Sequence, residues 1–220
     1  MIGLTKTQMA REVALDLPDG AYVNLGIGLP ILVAAHLDPA REVVVHSENG
    51  ILGMGPSPAP GHQDPNLIDA GKAPVTLVQG GSYIGHADSF AIIRGGHLDV
   101  SVMGALQVSG AGDLANWWSG EGIPGVGGAM DLAVGAREVL VIMRHVTATG
   151  DPKIVAECSL PITARGIVSR IYTEYGVFEP TPSGLVVVGL AEGTDVDALQ
   201  SRTGVALRFA GEPLTLPRAA

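Results

Sequence analysis

The glycines of this chain fall in clusters between apolar runs of strand length, and 31 of its 220 residues are glycine and 15 proline. Glycine weakens helix and strand interiors but allows backbone conformations and close approaches that other residues forbid. A chain built this way is expected to fold into short elements joined by tight loops, and those loops are where chemistry is to be sought. Hydrophobic residues make up 46% and charged residues 16%, enough apolar surface for a sizeable core and too little charge for a disordered tail. The length favours one large domain.

The local patterns point to an α/β fold. Thr5 followed by Gln8 is a capping-box pattern, and Met9, Val13 and Leu17 recur at spacing four, so residues 5–17 read as an amphipathic helix ended by Asp19-Gly20. Residues 21–25 read as a strand, Gly26-Ile27-Gly28 as a tight loop, Pro30 as a first helical residue, 31–37 as a helix and 42–46 as a β-branched strand. This is a βαβ unit, which implies a parallel sheet. Residues 75–78, 98–103, 138–143 and 185–188 add apolar strands of the buried type. Helices are expected at 89–94, 167–172 and 196–201, the last capped by Thr194, and loops at 47–56, Gly80-Gly81, Gly95-Gly96, 112–118 and 125–131. The expected architecture is a single α/β domain over residues 1–220, with a mostly parallel sheet flanked by helices and a C-terminal strand-helix-strand extension from about residue 178.

Charge and hydropathy exclude several classes of function. A formal net charge of −9 and a pI near 5.0 argue against a nucleic-acid-binding surface. Mean hydropathy is +0.33, yet the strongest apolar stretches, 139–143 and 185–190, are strand-length, so no membrane span is expected. The first eleven residues contain Lys6, Gln8 and Arg11 where an export signal needs an apolar run, and Cys158 stands alone, so a cytoplasmic setting is expected. The six histidines are scattered without i, i+4 pairing, so no metal site is expected.

Three glycine-rich motifs invite functional readings. Gly26-Ile27-Gly28-Leu29-Pro30-Ile31 follows a strand and opens a helix, as a dinucleotide-binding turn would, but Ile31 stands where the third glycine belongs. Gly80-Gly81-Ser82-Tyr83-Ile84 lacks the last glycine of a serine nucleophile elbow. Ser47-Glu48-Asn49-Gly50, followed by Gly53 and Gly55, puts a carboxylate at the carboxyl end of a strand just before a glycine-rich turn, where open α/β sheets bind ligands. On the residues alone this segment is equally an Asn-Gly turn with an incidental solvated glutamate. Gly127-Gly128 offers backbone N–H groups of the sort an oxyanion needs.

In order along the chain stand Asn24-Leu25-Gly26-Ile27-Gly28, Ser47-Glu48-Asn49-Gly50, Ala70-Gly71-Lys72, Ser89-Phe90, Ile93-Arg94-Gly95-Gly96-His97, Gly112-Asp113-Leu114-Ala115-Asn116-Trp117 and Gly127-Gly128-Ala129-Met130-Asp131. Through these motifs the chain resembles the beta, or B, subunits of the family I 3-oxoacid CoA-transferases over nearly its whole length to Val177. The resemblance implies that Glu48 is the nucleophile and that Gly128 supplies an oxyanion-hole N–H. It further implies that Asn49, Gly50, Lys72, Gly26, Gly28 and Gly127 serve substrate or CoA binding. A glutamate nucleophile must be ionised, and Asn49 and Gly50 are the expected N–H donors to it. CoA would be a substrate thioester, with no permanently bound cofactor and no metal. An alpha, or A, subunit would complete the site with a glutamine donor and a CoA-binding loop, in an assembly of two alpha and two beta chains.

Within the family, His86-Ala87-Asp88-Ser89-Phe90 and the run from Ile123 through Pro124 to Gly128 are similar to enzymes that move CoA from succinyl-CoA to 3-oxoadipate. Acetoacetate is the alternative acceptor. Arg144, where acetoacetate-using relatives often have glutamate, and Arg94 are candidates to hold a second substrate carboxylate. A reading of another class is a non-catalytic nucleotide-binding or stabilising α/β protein, which the contribution of Glu48 to activity would distinguish.

Overall fold

The expected capping box opens the molecule. In the computed structural model, which describes residues 2–120, 122–123 and 125–218, the Thr5 hydroxyl accepts from the Gln8 amide N–H, and the Gln8 side chain accepts from Thr5 N–H at 2.8 Å. Helix α1 (Lys6–Asp16) follows and buries Met9, Ala10 and Val13 against the sheet.

The parallel core of the sheet comes from short strands whose buried positions are mostly apolar. These are β1 (Tyr22–Leu25), β2 (Val44–Ser47) and, after the antiparallel hairpin strands β3 (Ile51–Met54) and β4 (Leu77–Tyr83) and helix α2 (His86–Arg94), β5 (Leu98–Met103). A small three-stranded sheet follows from β6 (Gln107–Ser109), β7 (Leu114–Ala115) and, later in the chain, β9 (Ile154–Val155). Helix α3 (Ala129–Gly135) leads into β8 (Ala136–Ile142), and β10 (Val168–Thr173), β11 (Gly176–Thr181), β12 (Gly184–Ala191), α4 (Val196–Gln200), β13 (Leu207–Arg208) and β14 (Leu214–Leu216) close the chain.

The large sheet runs β13-β12-β11-β10-β8-β5-β1-β2-β3-β4, with β14 beside β12. Its centre, β10-β8-β5-β1-β2, is parallel, and antiparallel pairs join β3 and β4 on one side and β11 and β12 on the other. Central strands are buried on both faces, so apolar residues dominate them, and the polar side chains they carry at Asn24, His46 and Ser101 are buried as well. In β8, Leu140 and Ile142 join the core under α1 while Val139 and Val141 join the core under α2 and α3.

Several local expectations are corrected, among them the loop expected at 47–56, of which Ile51–Met54 forms β3. Residues 167–172 form strand β10, not a helix, because Val168 and Ile171-Tyr172 fill a central slot between β8 and β11 where both faces are covered. Gly80-Gly81 lies inside β4 rather than in a loop: a Cβ on Gly53 would come within 2.9 Å of Gly81 Cα, so paired glycines let these strands approach. The 31–37 helix is a 3-10 helix, Pro30–His36. The cap of α4 is Asp195, whose carboxylate accepts from Ala198 N–H at 2.9 Å, and not Thr194.

Strand β5 lies on the opposite side of β1 from β2, so the connections diverge at β1 and open a crevice beyond the carboxyl ends of these strands. Open α/β sheets bind their ligands at such a reversal.

Candidate active site

A cleft of about 410 Å³ occupies this crevice. Residues 24–27 at the end of β1, Glu48 just past β2, residues 103–106 at the end of β5, and the 125–129 segment entering α3 all line it, with Ala70, Asn116 and Leu132. Glu48 is half-buried in the turn that joins β2 to β3, so the Asn-Gly turn and the cleft carboxylate are both present.

The turn is tightly specified. Gly50 has φ +111°, and a Cβ there would collide with the Ile84 carbonyl oxygen, so only glycine fits. Ile84 N–H donates to Gly50 O at 3.0 Å and ties the turn to the entrance of α2. Asn49 donates through Nδ2 to Ile68 O at 2.7 Å, and the Ser47 hydroxyl accepts from Ala70 N–H at 3.2 Å. The Ser-Glu-Asn-Gly segment therefore also carries the Ala70-Gly71-Lys72 loop to the cleft mouth.

Opposite Glu48 stands Gly128, the residue that precedes α3. A Cβ built on it would lie 2.6 Å from Glu48 Oε2 and 3.1 Å from Phe90 Cζ, so glycine is required for the carboxylate and the start of the helix to meet. No side chain caps α3, which leaves its first N–H groups without the usual side-chain partner.

Burial is the main cause that raises the Glu48 pKa; nearby His86 lowers it and Asp131 raises it further. The expectation that Asn49 and Gly50 donate to this carboxylate is corrected. The Asn49 amide is held by Ile68 O, and Gly50 N–H donates to Ser47 O at 3.0 Å. The Arg94 guanidinium is also engaged elsewhere: it forms two hydrogen bonds to Asp131, at 2.7 and 3.1 Å, and lies over the Phe90 ring.

Of the residues singled out from sequence, Glu48, Gly26, Gly127 and Gly128 line the cleft. Asn49, Gly50 and Gly28 shape its loops instead, and Gly28 and Gly127 adopt positive φ. Lys72 is exposed beside the mouth, with φ +67°. Pro124 of the run before Gly128 lies outside the described residues. Arg144 pairs with the buried carboxylate of Glu174 at 3.1 Å and Arg94 with Asp131 at 2.7 Å, and neither lines the cleft.

Sequence reasoning missed Asn24, Asn116 and the 103–106 wall as parts of the cleft. The available signal for Asn24 was a lone polar residue inside an apolar strand.

Chemically, the cleft offers the half-buried carboxylate of Glu48. Cys158 lies outside the lining, its thiol donates toward Asp113 O at 3.7 Å, and burial pushes its pKa up, which disfavours the reactive thiolate. Among the described residues no cluster of three or more His, Cys, Asp or Glu side chains could hold a metal ion, and no helix is long and apolar enough to cross a membrane.

The family model for Coenzyme A transferase matches residues 6–201. The chain belongs to the coenzyme A transferase family. It is 59% identical over 206 residues to the B subunit of the 3-oxoadipate CoA-transferase of Pseudomonas putida, covering 93% of this chain and 96% of that one. It is 46% identical over 194 residues to the B subunit of the succinyl-CoA:3-ketoacid coenzyme A transferase of Helicobacter pylori, covering 88% and 93%. Among solved structures, an acyl-CoA transferase apoenzyme of Escherichia coli O157:H7 superposes with a TM-score of 0.77 at 20% identity, over 97% of this chain and 43% of that one, and shows the shared fold. The α/β fold and CoA-transferase activity expected from the motifs are thereby established.

Proposed function

We propose that this chain is the nucleophile-bearing beta subunit of an enzyme that moves CoA from succinyl-CoA to 3-oxoadipate. The observation that carries the reading is the half-buried Glu48 carboxylate set against Gly128 inside a cleft at the sheet's reversal point. The choice of 3-oxoadipate rests on the relative at 59% identity, ahead of the 3-ketoacid relative at 46%.

Glu48 attacks the acyl-CoA carbonyl, the C–S bond breaks, and a mixed anhydride forms with release of CoA thiolate. The thiolate then attacks Glu48 Cδ, expels the first acid as its carboxylate and leaves a glutamyl-CoA thioester. The acceptor carboxylate reverses both steps, giving ping-pong kinetics with no net proton change. Gly128 N–H steadies the tetrahedral oxyanions, an effect worth about 3 kcal/mol for one donor. Burial that raises the Glu48 pKa also makes the carboxylate more nucleophilic once ionised. Lys72 attracts the CoA phosphates locally, which an acidic chain needs.

CoA enters as substrate thioester and not as a resident cofactor. An alpha subunit covers the cleft, supported by the exposed Ile27, Met130 and Val134 that ring its mouth and the outer face of α3, in an assembly of two alpha and two beta chains. A cytoplasmic setting is part of the same reading.

The test is kcat/KM on the co-produced alpha and beta chains with succinyl-CoA and either acceptor. A preference for 3-oxoadipate over acetoacetate of at least about a hundredfold is expected, and a reversed preference would assign the chain to the ketoacid type.

A further inference from the structure

A dicarboxylate acceptor sets this cleft an electrostatic problem. Transfer brings one carboxylate to Glu48, and a six-carbon diacid carries its second carboxylate four carbons farther on. Glu48 and Asp131 already place negative charge there, in a chain of net charge −9. A carboxylate drawn out of water needs a cation or an N–H donor. Several cations are committed to partners of their own: Arg94 to Asp131, Arg144 to Glu174, and the Lys153 ammonium to Ala105 O in the cleft wall at 2.7 Å.

His86 is not committed. It is the first residue of α2, is exposed, and among the described residues makes no hydrogen bond or ion pair. Two contacts place it beside the nucleophile. The hydrogen bond from Ile84 N–H to Gly50 O ties the entrance of α2 to the turn that carries Glu48. One helical turn on, the Phe90 ring lies 4.9 Å from the imidazole, tilted by 58°. Phe90 Cζ in turn stands 3.1 Å from the point where a Gly128 Cβ would be, itself 2.6 Å from Glu48 Oε2. The imidazole is within electrostatic reach of Glu48, since its charge opposes the rise in pKa that burial causes. His86 does not line the cleft wall. A group that flanks the nucleophile at this remove leaves room for the reacting carboxylate and meets one several carbons away.

We infer that His86 is the specificity-determining residue for the acceptor, its imidazole N–H donating to the second carboxylate of a 3-oxo diacid while the first reacts at Glu48. A neutral imidazole carries one N–H and an imidazolium two, so a donor is present in either state. The inference rests on the CoA-transfer reading and names the residue of this chain that selects a dicarboxylate.

The test uses the alpha and beta chains together, with succinyl-CoA as donor, and compares 3-oxoadipate with 3-oxohexanoate, which keeps six carbons and the 3-oxo group but has a methyl in place of the second carboxylate. Both acids react with the same Glu48 thioester, so any effect of His86 on Glu48 itself cancels in the ratio of their kcat/KM values. Wild type is expected to prefer 3-oxoadipate by about tenfold or more. His86→Ala should lose about tenfold on 3-oxoadipate and change by less than about twofold on 3-oxohexanoate. His86→Gln keeps an N–H donor and should retain part of the preference, and His86→Asp, which sets a like charge there, should press the ratio below that of His86→Ala. A structural role would lower both acids together and leave the ratio at the wild-type value. That result in His86→Ala overturns the inference, as does a wild type indifferent to the second carboxylate. Failure of wild type to transfer CoA to 3-oxoadipate would instead overturn the reading on which the inference rests.

Discussion

The α-carbon of Gly128 faces the Glu48 carboxylate so closely that a methyl group built on it would stand 2.6 Å from Oε2. The backbone of Gly128 has φ −83° and ψ 3°, which alanine tolerates, and the obstructed atom is the far end of a flexible side chain. Gly128→Ala is therefore expected to fold and assemble while displacing the carboxylate, with a loss of about a hundredfold in kcat, the scale associated with misplacing a reacting group by roughly an ångström. Circular dichroism and steady-state kinetics on the same preparation check both halves. Near-normal turnover would show that the Glu48–Gly128 contact is unimportant to the chemistry.

Lys72 holds a left-handed backbone, φ +67°, that ordinary side chains adopt at a cost of about 1 kcal/mol. Its amide donates to Asp69 O at 3.0 Å, and the buried Asp69 carboxylate accepts from Ala73 N–H at 2.8 Å, so the turn is held from within. Lys72→Gly should raise Tm by about 2–4 °C and raise KM for acyl-CoA roughly fivefold or more, with kcat little changed. A variant that gains stability with an unaltered KM would remove Lys72 from CoA binding.

His46 and His145 are both fully buried, with pKa lowered by burial to about 4; in His145 the charge of Arg202 adds to the effect. Between about pH 6.5 and 4 the unfolded chain binds protons that the folded chain does not, so stability rises with pH across this window and is lost as pH falls through it. Glu48 acts in the opposite sense, because its raised pKa lets the folded chain hold a proton longer than the unfolded one. Thermal unfolding from pH 7.5 to 4.5 should show Tm falling with pH. His46→Gln should flatten that slope by about one proton, and an unchanged slope would contradict a neutral buried His46.

Much of the molecule is legible in the sequence where one residue type has one physical use. The Thr5–Gln8 pair dictates the start of α1, the Ala21–His46 stretch dictates adjacent parallel strands, and Glu48 and Gly128 stand out in their motifs without any view of their contact. Residues 167–172 mislead because Val168, Ile171 and Tyr172 suit an amphipathic helix as well as a strand, and only the slot between β8 and β11 decides. The Asn49 amide is adjacent to Glu48 in sequence, but adjacency is a poor guide to where a side chain points; Ile68 O takes it instead. The place of Arg144 outside the cleft was hidden for a similar reason, since the carboxylate it pairs with, Glu174, is thirty residues away in sequence.

The account stands most directly on the fate of Glu48 when the assembled alpha and beta chains meet succinyl-CoA with no acceptor. The measurement is intact and peptide mass after incubation, with borohydride reduction or hydroxylamine cleavage of the adduct. A glutamyl-CoA thioester on Glu48, absent from the alpha chain and from Glu48→Gln, with transfer in that variant reduced by at least about a thousandfold, is the predicted result. A label on Cys158, or wild-type turnover by Glu48→Gln, would contradict it.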